Sequence, residues 1–345
     1  MKCPHCSKDT PSDSEFCLWC GKKLEGSRGK TSEFKREIQF PIKKILIAFF
    51  LLLMTGIILS AIVADNFKNV NAVFKMIFPG TTIFSQEYPH EGGYTIRGEV
   101  GTLSLAQFNT ESLYKYFSNN IPKRYQSQSL TAYYQQYLND ESQRVAFKNL
   151  IAEIKSKTDK TDDQARIAIN FVQHIPYDIN KANQISTNPN GQYPMRYPYQ
   201  VLYDKKGICS EKSLLTVFLL KELGYGGALL IFDKENHMAV GLKTSSEFDY
   251  QSSGYAFVET TRPNIITYST GEYVGVGKLT SKPEIIAVAD GRSLPNLREE
   301  YNDAVEYSEL QKLGPTLDSY HFSRMQILFD KYGINPEDAN KPIFR

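Results

Sequence analysis

Two stretches of this 345-residue chain are densely hydrophobic, at residues 45–64 and at residues 214–223. The second is too rich in apolar residues for a helix with one solvent-facing side, and Gly224 follows it as a C-cap glycine would. The pattern therefore predicts a buried helix, and Cys209 lies at its start. A helix N-terminus favours a thiolate there, because unpaired N–H groups and the helix dipole supply positive charge.

Three short β-prone runs follow the predicted helix. They are Ala228–Phe232, Met238–Leu242 and Tyr255–Thr261. The first two are joined by a turn-forming Asp-Lys-Glu-Asn segment, so the pattern predicts a helix followed by an antiparallel meander. His237 begins the second run and Glu259 lies near the end of the third. Adjacent strands would place the imidazole between the Cys209 thiol and the carboxylate, which is the arrangement of nucleophile, base and orienting acid.

Weaker patterns flank this region on both sides. Residues 81–108 contain glycines and short β-prone runs, and residues 112–157 have a mostly helical pattern. After the meander, residues 285–289 are predicted to complete the sheet, and residues 297–332 are predicted to be helical with a break at Gly314. Neither flank carries a catalytic signature, and the N-terminal one is predicted to be an accessory layer that packs on the cysteine domain.

A long segment rich in Asn, Pro and Tyr, residues 180–206, leads directly into the helix that begins at Cys209. Long loops beside a nucleophile often shape a binding site. The candidate cleft or oxyanion-stabilising residues in this segment are Tyr197, Tyr199, Gln200 and Tyr203. The alternative for all four is that they pack the loop onto the domain.

Four motifs occur in order around these residues. They are a helical segment (residues 162–174) followed by Ile175-Pro176-Tyr177-Asp178, then YPYQVLYDKKGICSEKSLL, NHMAVGL and FVETT. Over roughly residues 161–291, this set resembles the transglutaminase-like cysteine fold, which shares its catalytic logic with papain-like enzymes. The resemblance implies an α+β fold in which a helix bearing the cysteine packs on an antiparallel sheet. It also implies a cysteine enzyme with the triad Cys209, His237 and Glu259, acting on amide or peptide bonds of a peptide or protein by hydrolysis or acyl transfer.

The third member of the triad departs from the family pattern. Many family members carry acidic residues directly after the cysteine and an aspartate as the orienting acid, whereas this chain has Ser210-Glu211 and Glu259. Asp249 and Asp233 are therefore alternative partners for the imidazole. A further alternative is a copy of the fold without turnover, which would make the protein a binding or scaffolding protein of the cell envelope.

Four of the five cysteines lie within the first twenty residues, in two Cys-x-x-Cys pairs. The pairs are Cys3 with Cys6 and Cys17 with Cys20. Four such thiolates match the ligand set of a tetrahedral zinc site, and residues 1–24 resemble the small zinc-ribbon modules at the N-termini of many prokaryotic membrane proteins. We expect a structural Zn²⁺ there and a docking role towards a cytosolic protein. The alternatives are a disulfide or a redox motif, and a reducing compartment disfavours both.

Residues 45–64 contain no charged side chain and, as a helix, are long enough to cross the ~30 Å hydrocarbon core of a bilayer. The sequence therefore predicts a single transmembrane helix, with a cleaved signal peptide or a buried core helix as alternatives. Eight basic residues lie between Lys22 and Lys44 but two within residues 65–84, so the positive-inside rule places the N-terminus in the cytoplasm. The predicted location is the cell membrane, with the zinc ribbon in the cytosol and the cysteine domain outside.

The sequence predicts six successive segments in the chain. They are a zinc ribbon (1–24), a linker (25–44), a transmembrane helix (45–64), a stalk or accessory helical region (65–160), a transglutaminase-like domain (161–291) and a C-terminal helical extension (292–345). A net charge of +2 argues against a dedicated nucleic-acid binder, and no phosphate-binding glycine loop supports nucleotide-dependent chemistry. Another functional alternative makes the ribbon the main functional unit and the rest of the chain its sensor.

Overall fold

A computed structural model describes residues 91–127, 129–273, 276–314 and 316–336 of the chain, together with Lys2, Pro4 and Ser7. The four predicted zinc ligands, the predicted linker and the predicted transmembrane helix lie outside these residues. Among the described residues, no helix is long and apolar enough to span a membrane. The same part of the chain contains no group of three or more histidine, cysteine, aspartate or glutamate side chains placed to hold a metal ion.

The described strands form one four-stranded antiparallel sheet and two small hairpins. In chain order they are β1 (Glu91–Ile96), β2 (Glu99–Ser104), β3 (Gly227–Phe232), β4 (His237–Lys243), β5 (Tyr255–Val258), β6 (Glu272–Tyr273), β7 (Gly277–Lys278) and β8 (Glu284–Ala289). The four-stranded sheet has the order β5, β4, β3, β8. Strands β3 to β5 thus form the predicted meander, and β8 pairs with β3 to complete the sheet.

Seven of the described helices lie between β2 and β3, and two follow β8. In chain order they are α1 (Glu111–Asn119), α2 (Leu130–Leu138), α3 (Glu141–Ser156), α4 (Thr161–His174), α5 (Ile179–Thr187), α6 (Pro198–Asp204), α7 (Cys209–Glu222), α8 (Arg298–Lys312) and α9 (Ser319–Tyr332), with 3₁₀ turns at Ala106–Phe108 and Arg124–Gln126. Helix α7, which we call the cysteine helix, begins at Cys209. It is followed by Gly224, whose φ of +86° is the left-handed conformation that glycine adopts freely at a helix end.

The cysteine helix is buried because it packs against both the sheet and other helices. Its neighbours are β3, β4, α4 and α6. Every side chain from Leu214 to Leu220 is fully buried. A helix without a solvent-facing side needs apolar residues all round, which explains the dense hydrophobic run in the sequence.

The four-stranded sheet buries side chains on both faces. Leu229 and Val240 belong to the main core with the cysteine helix, whereas Leu230 and Phe232 lie in a smaller cluster with Phe257. Successive residues of a strand point to opposite faces of the sheet. Burial of both faces therefore explains why β3 and β4 are almost continuously apolar.

The N-terminal helices share the main core with the cysteine helix. Phe147 of α3 contacts Phe218 of the cysteine helix, with ring centroids 4.6 Å apart, and Phe108 packs on Phe147 at 4.7 Å. Leu150 and Ile154 of α3 are fully buried in the same core. The helical part of the predicted accessory layer thus packs directly on the cysteine helix.

The segment predicted as a long loop before the cysteine helix contains two helices, α5 and α6. The Asp178 carboxylate accepts a hydrogen bond from the N–H of Lys181 at 3.2 Å and so caps the start of α5. Pro198 occupies the first turn of α6, where its missing N–H needs no partner, and the N–H of Tyr197 donates to the Gln200 side chain at 3.0 Å. The loop prediction is wrong here because these capping interactions stabilise two short helices in an Asn-, Pro- and Tyr-rich sequence.

Candidate active site

Cys209 lies at the first residue of the cysteine helix, beside a cleft of about 320 Å³. Its side chain is half-buried, and it is the one cysteine among the described residues. The N–H groups of a helix's first turn have no partner within the helix, and the dipole adds positive charge at the same end. Cys209 therefore lines the cleft at the positive end of a helix.

His237 and Glu259 form a buried pair next to this cleft. His237 is the first residue of β4, opposite Phe232, and its Nε2 lies 2.9 Å from Oε2 of Glu259. Glu259 follows the end of β5, and its Oε1 accepts hydrogen bonds from the N–H groups of Thr260 and Thr261, both at 2.9 Å, and from the Thr261 hydroxyl at 2.7 Å. These donors hold the carboxylate in one orientation, and the carboxylate in turn orients the imidazole.

The structure brings the three predicted catalytic residues together. His237 interacts with the Cys209 side chain, and both residues line the cleft. Nε2 of His237 lies against Glu259. Carboxylate, imidazole and thiol are therefore neighbours at the cleft.

The two alternative acids occupy other positions. The Asp249 carboxylate accepts a hydrogen bond from the N–H of Gly254 at 2.8 Å, within the loop before β5. Asp233 lines the cleft, but the imidazole of His237 is paired with Glu259. Glu259 is thus the carboxylate that the geometry joins to the histidine.

The charges of the buried pair stabilise each other. Burial lowers the pKa of His237, but the carboxylate of Glu259 and hydrogen bonds with Cys209 and Glu259 outweigh it, so the pKa is raised above its ordinary value. Burial raises the pKa of Glu259, but the charge of His237 and the Thr261 donors outweigh it, so the pKa is lowered. The buried pair therefore holds two opposite charges beside Cys209.

Replacement of Glu259 by glutamine is expected to lower the free energy of unfolding most strongly between about pH 4.5 and 6.5. The raised pKa of His237 contributes stability that is complete below the ordinary value of about 6.5 and is lost as the pH rises towards the folded-state pKa. The lowered pKa of Glu259 contributes stability that is complete above the ordinary value of about 4.3 and is lost as the pH falls. Urea denaturation of both proteins across this pH range measures the difference.

The control for this pH dependence is Asp249→Asn, which removes a carboxylate outside the pair. Its effect on the free energy of unfolding should lack the maximum between about pH 4.5 and 6.5. A Glu259→Gln effect that stays constant across the range would contradict the mutual stabilisation of the two charges.

Tyr177 also lies beside Cys209, because a parallel bridge joins it to Gly207 just before the cysteine helix. The N–H of Gly207 donates to the Pro176 carbonyl at 3.2 Å, and the N–H of Asp178 donates to the Gly207 carbonyl at 3.1 Å. The phenol is within hydrogen-bonding reach of the backbone and the thiol of Cys209, and burial raises its pKa, so it remains a protonated donor. The sequence signal for Tyr177 was its place in the Ile-Pro-Tyr-Asp segment that follows the predicted helix at residues 162–174.

The segment that carries Tyr177, Cys209 and His237 has a counterpart among known families. Residues 145–253 match the family model of a transglutaminase-like domain, DUF553. This domain extends from α3 to the loop before β5, and Glu259 follows it. The mixture of helices with an antiparallel sheet is consistent with a transglutaminase-like α+β fold of the papain-like superfamily. No curated protein matches the chain.

The sequence analysis proposed four residues of the transglutaminase-like domain for the cleft, but their side chains contact residues outside it. The contacted groups are the Asn120 carbonyl for Tyr197 (2.8 Å), the Thr110 carbonyl for Tyr199 (3.2 Å), the Ser118 hydroxyl for Gln200 (2.9 Å) and the Tyr114 ring for Tyr203 (4.5 Å between centroids). All four partners belong to α1 or to its two flanking residues. The four residues thus pack their segment onto the domain, and Tyr193 and Met195 of the same segment line the cleft instead.

A buried carboxylate, Glu211, lies in the first turn of the cysteine helix. It accepts hydrogen bonds from the N–H groups of Ile208 at 3.0 Å and Arg196 at 2.9 Å. Its oxygens also pair with the Arg196 guanidinium at 2.9 Å and with Lys181 at 2.5 Å. Two cations therefore offset the negative charge of Glu211 at the start of the cysteine helix.

Arg196 is the centre of this charged cluster. Besides Glu211, it pairs with Asp178 at 2.8 Å and with Asp204 at 2.6 Å. Burial lowers the pKa of Arg196, but the three carboxylates outweigh it and raise the pKa, so the guanidinium stays charged. The cluster ties the segment between α5 and α6, which forms one wall of the cleft, to the start of the cysteine helix.

Proposed function

We propose that this chain is a transglutaminase-like cysteine enzyme that acts on amide or peptide carbonyl groups through Cys209, His237 and Glu259. One observation carries the proposal: the buried carboxylate–imidazole pair and the thiol are neighbours, with the thiol at a helix N-terminus beside a cleft. Nucleophilic catalysis needs these parts, a nucleophile, a base within reach of it and a group that orients the base.

The proposed reaction begins with the Cys209 thiolate and the His237 imidazolium. The sulfur attacks the carbonyl carbon of the substrate, and the electron pair of the C=O bond moves to the oxygen to give a tetrahedral oxyanion. The C–N bond then breaks as the imidazolium gives its proton to the leaving amine, and a thioester remains on the cysteine. Water in hydrolysis, or a second amine in acyl transfer, gives its proton to the imidazole and displaces the thiolate.

Tyr177 has the position of an oxyanion-stabilising donor in this reaction. Its phenol reaches both the backbone and the side chain of Cys209, so it lies close to the carbon that the sulfur would attack. Preorganised donors at such a point stabilise the charge that develops on the substrate oxygen.

The walls of the cleft favour a substrate with apolar surface next to the reacting carbonyl. Apolar side chains that line it are Ala182, Ile185, Met195, Ile208, Ile231, Phe232 and Met238. Two charged side chains also line it, Lys181, which is paired with Glu211 at 2.5 Å, and Asp233. Apolar walls bind a ligand by burial of its surface, and the polar groups among them fix its orientation.

Replacement of Tyr177 by phenylalanine is expected to slow acylation by p-nitrophenyl acetate by roughly 10²-fold and to leave alkylation by iodoacetamide nearly unchanged. Acylation passes through an oxyanion that loses a donor in the variant, whereas alkylation displaces iodide without forming one. The burst of p-nitrophenolate from the full-length protein measures acylation, and mass spectrometry of the Cys209 peptide measures alkylation.

Tyr203→Phe is the matched control, because Tyr203 packs on Tyr114 outside the site. Equal slowing of both reactions in Tyr177→Phe would show a loss of thiol reactivity and contradict the oxyanion role. Absence of a burst in the wild-type protein would contradict the proposed enzyme and favour a transglutaminase-like binding protein without turnover.

The N-terminal part of the proposal rests on the sequence. We propose that four thiolates bind one structural Zn²⁺, and that residues 45–64 anchor the chain in the cell membrane with the N-terminus in the cytoplasm. The ligands are Cys3, Cys6, Cys17 and Cys20. The transglutaminase-like domain would then face peptides or proteins outside the membrane, and the ribbon a cytosolic partner.

A further inference from the structure

Lys212 carries a charged group into the interior of the transglutaminase-like domain. It lies in the cysteine helix, one turn from Cys209, and is completely buried. Its Nζ donates hydrogen bonds to three backbone carbonyls, those of Gln173 at 3.2 Å, Ile175 at 2.5 Å and Thr261 at 2.9 Å. An ammonium group has three N–H donors and no acceptor, so each donor has a partner.

The three carbonyls belong to two turns that carry residues of the proposed site. Two of them lie at the end of α4, directly before Tyr177, and we call residues 173–178 the tyrosine turn. The third lies two residues after Glu259, and we call residues 259–264 the acid turn. One side chain therefore holds both turns against the cysteine helix.

A second link joins the tyrosine turn to the acid turn directly. The buried side chain of Gln173 donates to the carbonyls of Glu259 at 2.8 Å and Asn264 at 3.2 Å. The lysine and this glutamine together fix three segments of chain through backbone atoms. The distances among the Tyr177 phenol, the Cys209 thiol and the Glu259 carboxylate thus depend on the positions of these backbone segments.

The surroundings of Lys212 suit its charged form. Burial lowers the pKa of Lys212 to about 7, and the negative charge of Glu259 opposes this. Burial lowers the pKa of His174, a further titratable group nearby, and the charge of Lys212 adds to this effect. A neutral amine would direct its lone pair at one of the three carbonyl oxygens, so the geometry favours the ammonium group.

Packing alone does not account for a cation at this position. Isosteric hydrophobic side chains can replace buried charged groups without loss of stability. The following residues of the same helix, Leu214 to Leu220, are buried and apolar apart from Thr216. An apolar residue at position 212 would extend that pattern, but it would supply none of the three hydrogen bonds.

We propose that Lys212 is a positioning residue of this active site, which sets the tyrosine turn and the acid turn against the cysteine helix. The inference rests on the proposed function, since it depends on the roles assigned to Tyr177 and Glu259. Lys212 acts through backbone carbonyls and does not touch the reacting atoms.

Lys212→Met is the test variant and Thr216→Val the matched control. Both replace a fully buried polar side chain of the cysteine helix by an apolar one of similar size, but the Thr216 hydroxyl donates within its own helix, to the Lys212 carbonyl at 2.9 Å. We expect Lys212→Met to slow acylation of the full-length protein by p-nitrophenyl acetate roughly 10- to 100-fold, since small misplacements of catalytic groups have effects of this size. Thr216→Val should stay close to the wild-type rate.

A double-mutant cycle with Tyr177→Phe separates positioning from a general loss of stability. If Lys212 acts through the tyrosine turn, Tyr177→Phe slows acylation far less in the Lys212→Met protein than in the wild type. Equal slowing in both backgrounds overturns the proposal, and so does a wild-type acylation rate in Lys212→Met.

Hydrogen exchange gives a readout that needs no catalytic activity. The N–H groups of Asp178 and Thr260 are hydrogen-bonded within or beside the two turns. Faster exchange at both in Lys212→Met, but not in Thr216→Val, supports the proposal, and unchanged exchange overturns it. If the wild-type protein shows no p-nitrophenolate burst, the proposed function is contradicted. Hydrogen exchange then still tests whether Lys212 positions the two turns. If Lys212→Met does not fold, Lys212→Gln, which keeps two N–H donors, takes its place in both experiments.

Discussion

Replacement of Cys209 by alanine abolishes the p-nitrophenolate burst if the proposed function is right, and replacement of Glu259 by glutamine slows the burst by roughly 10²- to 10⁴-fold. The first variant lacks the sulfur that forms the thioester. His237→Ala should slow the burst by a factor similar to that of Glu259→Gln, because it removes both the base and the charge that favours the thiolate. Stopped-flow measurement of the burst on the full-length protein compares the three variants.

The effect of Glu259→Gln follows from the donors around the carboxylate. Oε1 of Glu259 faces two N–H groups and the Thr261 hydroxyl, so the single oxygen of a glutamine would occupy that position. Its amide nitrogen would then face Nε2 of His237, which must become an acceptor. The ring proton then moves to Nδ1, and that nitrogen can no longer accept a proton from Cys209.

Two controls test whether the burst depends on the proposed triad. Asp249→Asn changes a carboxylate to an amide in the loop before β5 and should leave the burst unchanged. The Cys209→Ala protein retains the four N-terminal cysteines, so its signal is the background that these thiols contribute. Equal bursts in this variant and in the wild type would place the reaction on the N-terminal cysteines and contradict the triad.

Replacement of Arg196 by methionine is expected to lower the free energy of unfolding by about 3–5 kcal/mol at neutral pH. The guanidinium pairs with Asp178, Asp204 and Glu211, and two of these carboxylates are almost completely inaccessible to solvent. Removal of one partner from a buried ion pair leaves an uncompensated charge, which is far more costly than loss of a surface pair. Urea denaturation monitored by circular dichroism measures the change.

The matched control for Arg196→Met is Arg324→Met. Arg324 pairs with Glu306 through two hydrogen bonds at 2.6 and 2.7 Å, but both side chains are about one-third exposed. Loss of this surface pair should change the free energy of unfolding far less than loss of the buried pairs of Arg196. Similar losses in both variants would show that the cluster around Arg196 behaves as a surface network.

The elements that carry the catalytic residues were predictable because each has a local signature. A run of apolar residues on every side predicts a buried helix, and its first residue, Cys209, follows from where the run begins. A turn-forming segment between two β-prone runs places His237 at the start of β4. Glu259 follows from the end of the third run, one residue beyond the observed strand.

The residues that hold these elements together have no such signature. The partners of Lys212 are backbone carbonyls, which look alike in every sequence, and they lie 37 to 49 positions away along the chain. The role of an aromatic residue in a predicted loop is equally hard to assign from sequence. A tyrosine such as Tyr199 gives the same sequence pattern whether its side chain faces a cleft or a core. Its placement among the residues of α1 is a matter of tertiary packing, and the sequence proposal for it was wrong for that reason.

Tyr177, Cys209, His237 and Glu259 follow one another along the chain, from the turn after α4 to the residue after β5. During synthesis the chain leaves the ribosome N-terminus first, so the nucleophile emerges before the base and the base before the acid. Segments close in sequence meet with a small entropic cost of loop closure, so the site is completed as β5 joins β4. Under the proposed mechanism, a nascent chain that ends before residue 259 therefore carries a cysteine without its oriented base, and the thiol acquires its reactivity only after the strands that surround it have formed.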